Sequence, residues 1–285
     1  QMLHLHSAIS PYLSGGNCNI SVNLHSYIIN YVNIEKIIGM LVIKPEITSL
    51  FKYCPIGKNQ LSALAQRKIW YSKPAGFNDP FDTQFYVRGQ RHVYEREMDS
   101  EKLSAIFGED MSDVMVSKKR SLDELLDRFK SGLEKLGILS LASSNKNLLM
   151  WSHYASEHKG MCLEFKRIAG TALADDKITR PMNYNDNYPS IQASSILNEV
   201  DTLSNKIRIL HTKSKHWEYE QEWRHVVEQG NELHPWPAEL ISVYFGCKTD
   251  MSDIHLVRSI ITDPNVNYYK GNLYSDKFDI YFQPI

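Results

Sequence analysis

Residues 217–224, which read Trp-Glu-Tyr-Glu-Gln-Glu-Trp-Arg, form the segment best equipped for chemistry. As a strand, the segment projects its carboxylates and its arginine to one face, because side chains alternate along a strand. These residues are Glu218, Glu220, Glu222 and Arg224. Closely spaced carboxylates raise one another's pKa unless a cation lies among them, and Arg224 is placed to supply that cation. The alternative is a solvated strand face on which Glu and Arg simply pair.

A second segment, Met150 to Tyr154, combines aromatic rings with an imidazole. In a helix, His153 and Glu157 share one face. No second histidine lies four residues from His153, so we predict no metal site. The alternatives are ordinary packing around a hydrogen-bonded imidazole, and an aromatic wall including Trp151 on which a base or nicotinamide stacks.

The third polar segment is the turn-rich run from Phe77 to Asp82. Asn and Asp before Pro form tight side-chain-to-backbone turns. The run is therefore either a structural turn after a strand or a loop that presents an amide and carboxylates to a ligand. Three polar clusters far apart in sequence are hard to explain unless they converge. We predict that the turn at Asn78–Pro80 lies within side-chain reach of His153 or Glu222.

The elements that must position these segments favour an α+β fold, because helices come first and strands are grouped later. We expect a mixed or antiparallel sheet core with peripheral helices. Periodicity and capping signals predict helices near residues 59–67, 90–107, 121–136, 148–158, 196–210 and 254–261. Strands are predicted at 69–71, 138–142, 161–165, 217–228 and 240–245, before a C-terminal hairpin that turns at 270–272 and points Phe278, Ile280 and Phe282 inward.

Composition predicts one folded domain. The chain has 285 residues, of which 42% are hydrophobic and 23% charged, and that balance supplies enough apolar material for a core. Residues 1–45 are first rich in Ser, Asn and His and then apolar without a clean period. We therefore predict an N-terminal extension at 1–45 and a single domain at 46–285.

Charge, hydropathy and cysteine spacing predict a cytoplasmic protein. The net charge of −1 gives no general attraction to nucleic acid or to an anionic membrane. No stretch approaches the roughly 20 uncharged apolar residues of a membrane helix, and the basic segment typical of a signal peptide is not found. The four cysteines are widely spaced and lack a C-x-x-C pair, which favours reduced thiols.

Six short pieces of the chain are distinctive when they are read together. They are Phe51–Tyr53, Asn78–Asp82, Leu139–Leu141, Met150–Tyr154, Lys159–Gly160 and Tyr219–Arg224. In this order they resemble the bacterial family catalogued as domain of unknown function 2971. The resemblance spans about Phe51 to Gly246, and the family label implies no reaction.

The run Phe51–Tyr53, a short helix and the run Ile69–Ser72 also resemble, more faintly, the start of ADP-ribosyltransferase folds, which include toxins that modify DNA. This resemblance implies a late-strand glutamate that holds the nicotinamide ribose of NAD. Glu222 would be that catalytic residue, or Glu220 in its place. Of the two glutamates in such a pair, the second is the catalytic one and the first shapes target choice.

The same resemblance implies roles for other candidates. Tyr53, or His153 together with Tyr154, would line the nicotinamide pocket, and Asn78 would lie in the neighbouring loop. Lys52 takes the position at which these enzymes offer His or Arg to the adenosine ribose, although lysine lacks the forked donors of arginine.

These expectations lead to an ADP-ribosyltransferase-like enzyme or NAD glycohydrolase with NAD as its small-molecule substrate. It would act as a toxin or phage-defence effector on a macromolecular acceptor. Arg224 would keep Glu222 ionised, and Trp151 would help to exclude water. One alternative is a module that binds a nucleotide or peptide without turnover. The other is a metal-dependent nuclease or phosphoesterase, which would use Asp79, Asp82, Glu220 and Glu222 with Lys215.

Overall fold

The computed structural model describes residues 44–88, 123–192, 195 and 199–285. These residues fall within one compact unit, Val42–Ile285. The predicted helix near 90–107 and residues 1–43 of the predicted extension lie outside the described residues, so both stay predictions. Of the helices in the described ranges, none has the length and apolar content to cross a membrane.

A mixed β-sheet is the centre of the unit. The described strands are β1 (Ser49–Cys54), β2 (Lys68–Tyr71), β3 (Tyr86–Arg88), β4 (Gly137–Ala142), β5 (Met161–Lys166), β6 (Thr179–Pro181), β7 (Asn183–Asn185), β8 (Ser190–Gln192), β9 (Thr212–Ser214), β10 (Glu222–Val227), β11 (Glu232–Pro235), β12 (Leu240–Phe245), β13 (Asn267–Leu273) and β14 (Ile280–Pro284). Eight of them form one sheet in the order β14-β13-β12-β5-β1-β4-β10-β6. Neighbours are antiparallel except β12 and β13, which run parallel. The predicted α+β class with a mixed sheet is confirmed.

Helices cover the sheet because each buries an apolar stripe against it. The described helices are α1 (Lys58–Ala65), α2 (123–134), α3 (Leu148–Tyr154), α4 (Glu199–Leu210) and α5 (Met251–Ile260). Helices α1 and α5 contribute Leu64 and Val257 to the largest apolar cluster. Helix α3 contributes Trp151 to a separate cluster with Tyr53 and Cys162. Residues of β1 therefore pack on both faces of the sheet.

Helix α3 is shorter than the predicted span 148–158, because it ends at Tyr154. Residues 156–158 all have left-handed backbone, with φ between 46° and 70°. Side chains other than glycine seldom adopt this conformation, because Cβ crowds the following carbonyl. The predicted shared face for His153 and Glu157 is therefore wrong, since Glu157 lies in this turn and not in the helix.

The C-terminal hairpin also differs from its prediction. Gly271 does not form the turn but lies within β13, where an added Cβ would come within 2.8 Å of the Ile280 side chain. Glycine inside a strand commonly marks a place where a neighbouring element approaches closely. The chain reverses between Leu273 and Ile280 instead, which leaves Phe278 fully exposed and not inward as predicted.

The left-handed turn is held by backbone contacts at Gly246, whose amide donates to the carbonyl of Gly160 at 3.0 Å. A methyl group on Gly246 would overlap the carbonyl oxygen of His158. We expect Gly246→Ala to lower the free energy of unfolding by more than about 2 kcal/mol, because backbone and not a flexible side chain must move. Urea unfolding would measure the change.

Gly76→Ala is the matched control for this substitution, since nothing lies within 4 Å of an added Cβ at Gly76. Its effect should stay within about 0.5 kcal/mol. Equal effects of the two substitutions would contradict the close packing described for Gly246.

Candidate functional site

Strands β1 and β4 are neighbours that pair at a single position. Strand β1 pairs with β5 along six residues, and β4 pairs with β10 along six. Between β1 and β4, the described register contains only Phe51 opposite Ala142. Farther along β4, Ile138 exchanges two backbone hydrogen bonds with Ser72, at 3.1 and 2.9 Å. Strand β4 therefore contacts β1 at one end and the end of β2 at the other. A gap lies between these two contacts.

Ser140 lies in this gap, two residues from each pairing. Its backbone carbonyl points toward β1, because backbone groups of alternate residues point to the same side of a strand. This carbonyl accepts a hydrogen bond from Nζ of Lys52 at 3.0 Å. The lysine thus replaces a missing backbone hydrogen bond. We call the gap between β1 and β4 at Ser140 the β1–β4 cleft.

A cavity of about 810 Å³ extends from the β1–β4 cleft. It lies within the 300–1,000 Å³ range typical of small-molecule sites. Most of its lining is apolar, and converging polar groups come from separate elements, as is usual for a ligand site. Seven residues of the lining were predicted as site residues from sequence: Lys52, Tyr53, Asn78, Tyr154, Glu220, Glu222 and Arg224.

The acidic segment reaches the cavity through a bend and not as the predicted strand. Residues Lys215–Glu220 form a 3₁₀ helix, which Ser214 caps by accepting a hydrogen bond from the amide of residue 216. Gln221 then takes a left-handed conformation, with φ 45°, and β10 begins at Glu222. The predicted strand at 217–228 is therefore wrong before residue 222, and Glu218 does not share a strand face with Glu222.

Arg224 is the centre of a buried ionic network. Its guanidinium binds Asp82 through two contacts, at 2.9 and 2.5 Å, and Glu222 Oε1 through Nε at 2.8 Å. Nη1 also donates to the carbonyl of Leu210 at 2.7 Å. Arg224 is 1% exposed. A guanidinium keeps its charge in proteins, so its burial requires such a complete set of acceptors.

Lys213 is the second cation of the network. Its Nζ lies 2.5 Å from Glu220 Oε2 and 2.9 Å from Glu222 Oε2. It also lies 5.1 Å from the centre of the Trp217 ring. Three acidic side chains, those of Asp82, Glu220 and Glu222, thus face two cations, Arg224 and Lys213.

The network fixes the ionisation of its members. Burial opposes ionisation of Glu222, but the charges of Arg224 and Lys213 outweigh burial and lower the pKa of Glu222 to about 2. For Lys52, burial lowers the pKa, and the carboxylates of Glu222 and Glu220 act in the opposite direction. The site therefore presents a permanent carboxylate beside an ammonium whose proton is easier to remove than usual.

Tyr154 joins helix α3 to the network. Its hydroxyl donates to Glu220 Oε1 at 2.6 Å. Burial raises the pKa of Tyr154, and the hydrogen bond to Glu220 raises it further. Asn78 makes a side-chain hydrogen bond to the same hydroxyl. Tyr154 thus stays protonated and links the loop at Asn78 to the acidic segment.

The predicted convergence is confirmed for Glu222 and not for His153. Asn78 and Glu222 line one cavity, and Asp82 binds the arginine that binds Glu222. His153 is exposed, and its Nδ1 lies 3.2 Å from the hydroxyl of Tyr219. Its ring is not part of the cavity lining.

Tyr53 and Trp151 differ in position. Tyr53 lines the cavity. Trp151 is fully buried, donates to the carbonyl of Asn145 at 2.7 Å, and packs edge-on against Tyr53 at 5.2 Å between ring centres. It does not line the cavity. The side chain of Asp79 accepts a hydrogen bond from the backbone amide of Phe81 at 2.9 Å. This contact forms the structural turn that the sequence also allowed.

Sequence reasoning missed Lys213 and Ser140. Lys213 lies in a three-residue strand, and no spacing connects it to the glutamates. Ser140 interrupts the apolar run of β4, so a polar residue in a buried strand was the available signal. Asp82 was considered as a metal ligand and as part of a loop that presents carboxylates to a ligand. Its actual partners are Arg224, and Lys213 at 4.0 Å.

Among the described residues, no group of three or more His, Cys, Asp or Glu side chains is arranged to hold a metal ion. Three of the four carboxylates that the metal-dependent alternative would use, those of Asp82, Glu220 and Glu222, are already bound by protein cations. A metal ion would have to displace Lys213 from Glu220 and Glu222.

Comparison with known proteins adds a family similarity. Residues 150–225 match the family described as "Protein of unknown function (DUF2971)". This match supports the resemblance to that family and includes Tyr154, Lys213, Glu220, Glu222 and Arg224. Searches of curated proteins and of solved structures found no match. The comparisons do not support the fainter resemblance to ADP-ribosyltransferases.

The depressed pKa of Glu222 predicts a pH dependence of stability. A carboxylate with a folded-state pKa of about 2 contributes stability above its unfolded pKa of roughly 4.3, and this contribution is lost as pH falls toward 2. We expect the free energy of unfolding to fall between about pH 5 and pH 2. Glu222→Gln should make the fall shallower, as urea unfolding at a series of pH values would measure.

Glu239→Gln is the control, since Glu239 forms an exposed pair with Lys166. Glu222→Gln leaves two cations facing Asp82 and Glu220, so the network keeps balanced charges. An unchanged slope in Glu222→Gln would contradict the account of its ionisation.

Proposed function

We propose that the protein binds NAD in the cavity and cleaves the bond between nicotinamide and ribose. The observation that carries this proposal is the Glu222 carboxylate, paired with Arg224 and Lys213, in a ligand-sized cavity that Lys52 and Ser140 also line. The faint resemblance of Phe51–Tyr53 and Ile69–Ser72 to the start of ADP-ribosyltransferase folds implies the same chemistry.

A carboxylate assists this reaction when it lies beside the ribose. As the C1′–N bond breaks, its electron pair leaves with the ring, which becomes neutral nicotinamide. Positive charge then moves onto the ribose as an oxocarbenium ion. A fixed carboxylate beside the ribose stabilises this transition state more than the ground state.

The other residues orient the substrate. Lys52 has three N–H donors, of which one is used by Ser140, so two remain for ribose hydroxyl or phosphate oxygens. Tyr154 and Asn78 would form the wall beside the nicotinamide. Arg224 and Lys213 position Glu222 and keep its carboxylate deprotonated.

The ADP-ribosyl group would pass to a nucleophile that attacks C1′ and loses its proton. With a hydroxyl or amine on a macromolecule as nucleophile, the protein is a transferase, as a toxin or phage-defence effector would be. With water, it is an NAD glycohydrolase. Glu220 lies beside Glu222 and would contact this acceptor.

The completeness of the ionic network favours a second candidate. Both oxygens of Glu222 already bind protein cations, which would suit a module that binds a nucleotide without turnover. In that case the network is only structural, and bound NAD would remain intact.

Glu222→Gln tests the proposal because it preserves shape and removes charge. We expect release of nicotinamide from NAD to fall by a hundredfold or more, on the order of 3 kcal/mol, while the melting transition is retained. Glu220→Gln should have a smaller effect and alter which acceptor is modified. The assay is run with and without cell extract as a source of acceptor.

Glu239→Gln, an exposed variant outside the cavity, should release nicotinamide at the wild-type rate. If wild-type protein binds NAD but releases no nicotinamide under either condition, the binding-module candidate replaces the enzyme. If it does not bind NAD, both candidates fail for this ligand.

A further inference from the structure

Within the described part of the chain, Trp70 differs from the other tryptophans in having no aromatic or cationic partner for its ring. Trp151 packs against Tyr53, Trp217 lies under Lys213, Trp223 lies under Arg167, and Trp236 packs against Phe165. Among the described residues, no aromatic ring or cation contacts the ring of Trp70. The side chain is 48% exposed, yet it lines the cavity.

The position of Trp70 follows from the divergence of β2 from β4. Ser72 pairs with Ile138, so Trp70, two residues earlier on β2, comes level with Ser140 on the far side of the gap. On its other edge β2 pairs with β11, where Leu233 lies opposite Trp70. Leu233 also lines the cavity. The indole is thus held on a two-stranded ribbon that forms one wall of the cavity.

Unused hydrogen-bonding groups lie in the same cavity. Asn59 and Gln60 on α1 are part of its lining. Their side-chain amides make no hydrogen bond with any other residue in the described part of the chain. Each amide offers a donor next to an acceptor. This pattern matches the adjacent donor and acceptor that adenine presents at N6 and N7.

We infer that the purine ring of an adenine nucleotide stacks on Trp70, with its edge read by the amides of Gln60 and Asn59. A flat ring that bears polar edges fits an open indole beside free amides, because stacking uses the ring faces and leaves the edges for hydrogen bonds. This assignment rests on the proposed function for the identity of the whole ligand. The nicotinamide end is then next to Glu222, and the adenine end on the β2 wall.

The test uses fragments of the nucleotide that lack the bond to be cleaved. Calorimetry would measure binding of AMP and of ribose 5-phosphate, which has the same sugar phosphate without the base. Wild-type protein should bind AMP more tightly. Trp70→Ala should weaken AMP by about tenfold or more and leave ribose 5-phosphate unchanged. Trp70→Phe should retain most of the AMP affinity.

Phe278→Ala is the matched control, since it also removes an exposed ring, but one outside the cavity. It should bind AMP as the wild type does. Nicotinamide mononucleotide, which lacks adenine, should bind Trp70→Ala and wild type equally. The inference is overturned if AMP binds no better than ribose 5-phosphate, or if Trp70→Ala leaves AMP affinity unchanged.

The outcomes separate this inference from the proposed function. Because AMP has no nicotinamide, loss of AMP affinity in Trp70→Ala would support the adenine site even if NAD were never cleaved. Conversely, NAD cleavage with the same KM in wild type and Trp70→Ala would overturn the adenine site and leave the proposed reaction standing.

Discussion

The burial of Arg224 constrains the structure around the cavity. A guanidinium cannot give up its charge, and removal of one partner from a buried ion pair costs about 3–5 kcal/mol. Arg224 therefore holds together Asp82, which lies in the loop after β2, and Glu222, which begins β10. Lys213 is also a buried cation that requires a counter-ion, and it pairs with Glu220. This pair determines where the bend after β9 must lie. The loop at Asp82 and the segment 213–224, which are distant in sequence, meet at one place because their opposite charges pair there.

The cleft between β1 and β4 opens this network to the cavity. A continuous ladder would bury the carboxylates beneath closed backbone hydrogen bonds. Instead the ladder has one residue pair, Phe51 with Ala142, and then the Lys52 side chain bonds the exposed carbonyl of Ser140. A side chain can release a carbonyl more readily than a paired strand can, since only its own torsions change. In the proposed function, the same lysine would exchange this carbonyl for an oxygen of the nucleotide.

Sequence patterns predicted the elements whose signals are local. The buried strand at 138–142 and the strand at 240–245 follow from short apolar runs, and both are confirmed. Failures came where long-range contacts override local preference. Alternation predicted a strand through Glu218 and Glu220, whereas the Ser214 cap and the left-handed Gln221 produce a bend. The partnership of Lys213 with the glutamates depends on tertiary approach and leaves no spacing signal. His153 shows the converse, since a residue type suited to catalysis lies outside the cavity.

The most direct test of the account is the crystal structure of Glu222→Gln soaked with NAD, because this variant keeps the shape of the site while slowing cleavage. We expect density for the dinucleotide in the β1–β4 cleft, with a nicotinamide-ribose hydroxyl within hydrogen-bonding distance, about 3 Å, of the residue 222 amide. Nζ of Lys52 should have moved from the Ser140 carbonyl to the ligand. An occupied site elsewhere on the protein, with the Lys52–Ser140 bond intact, would contradict the account.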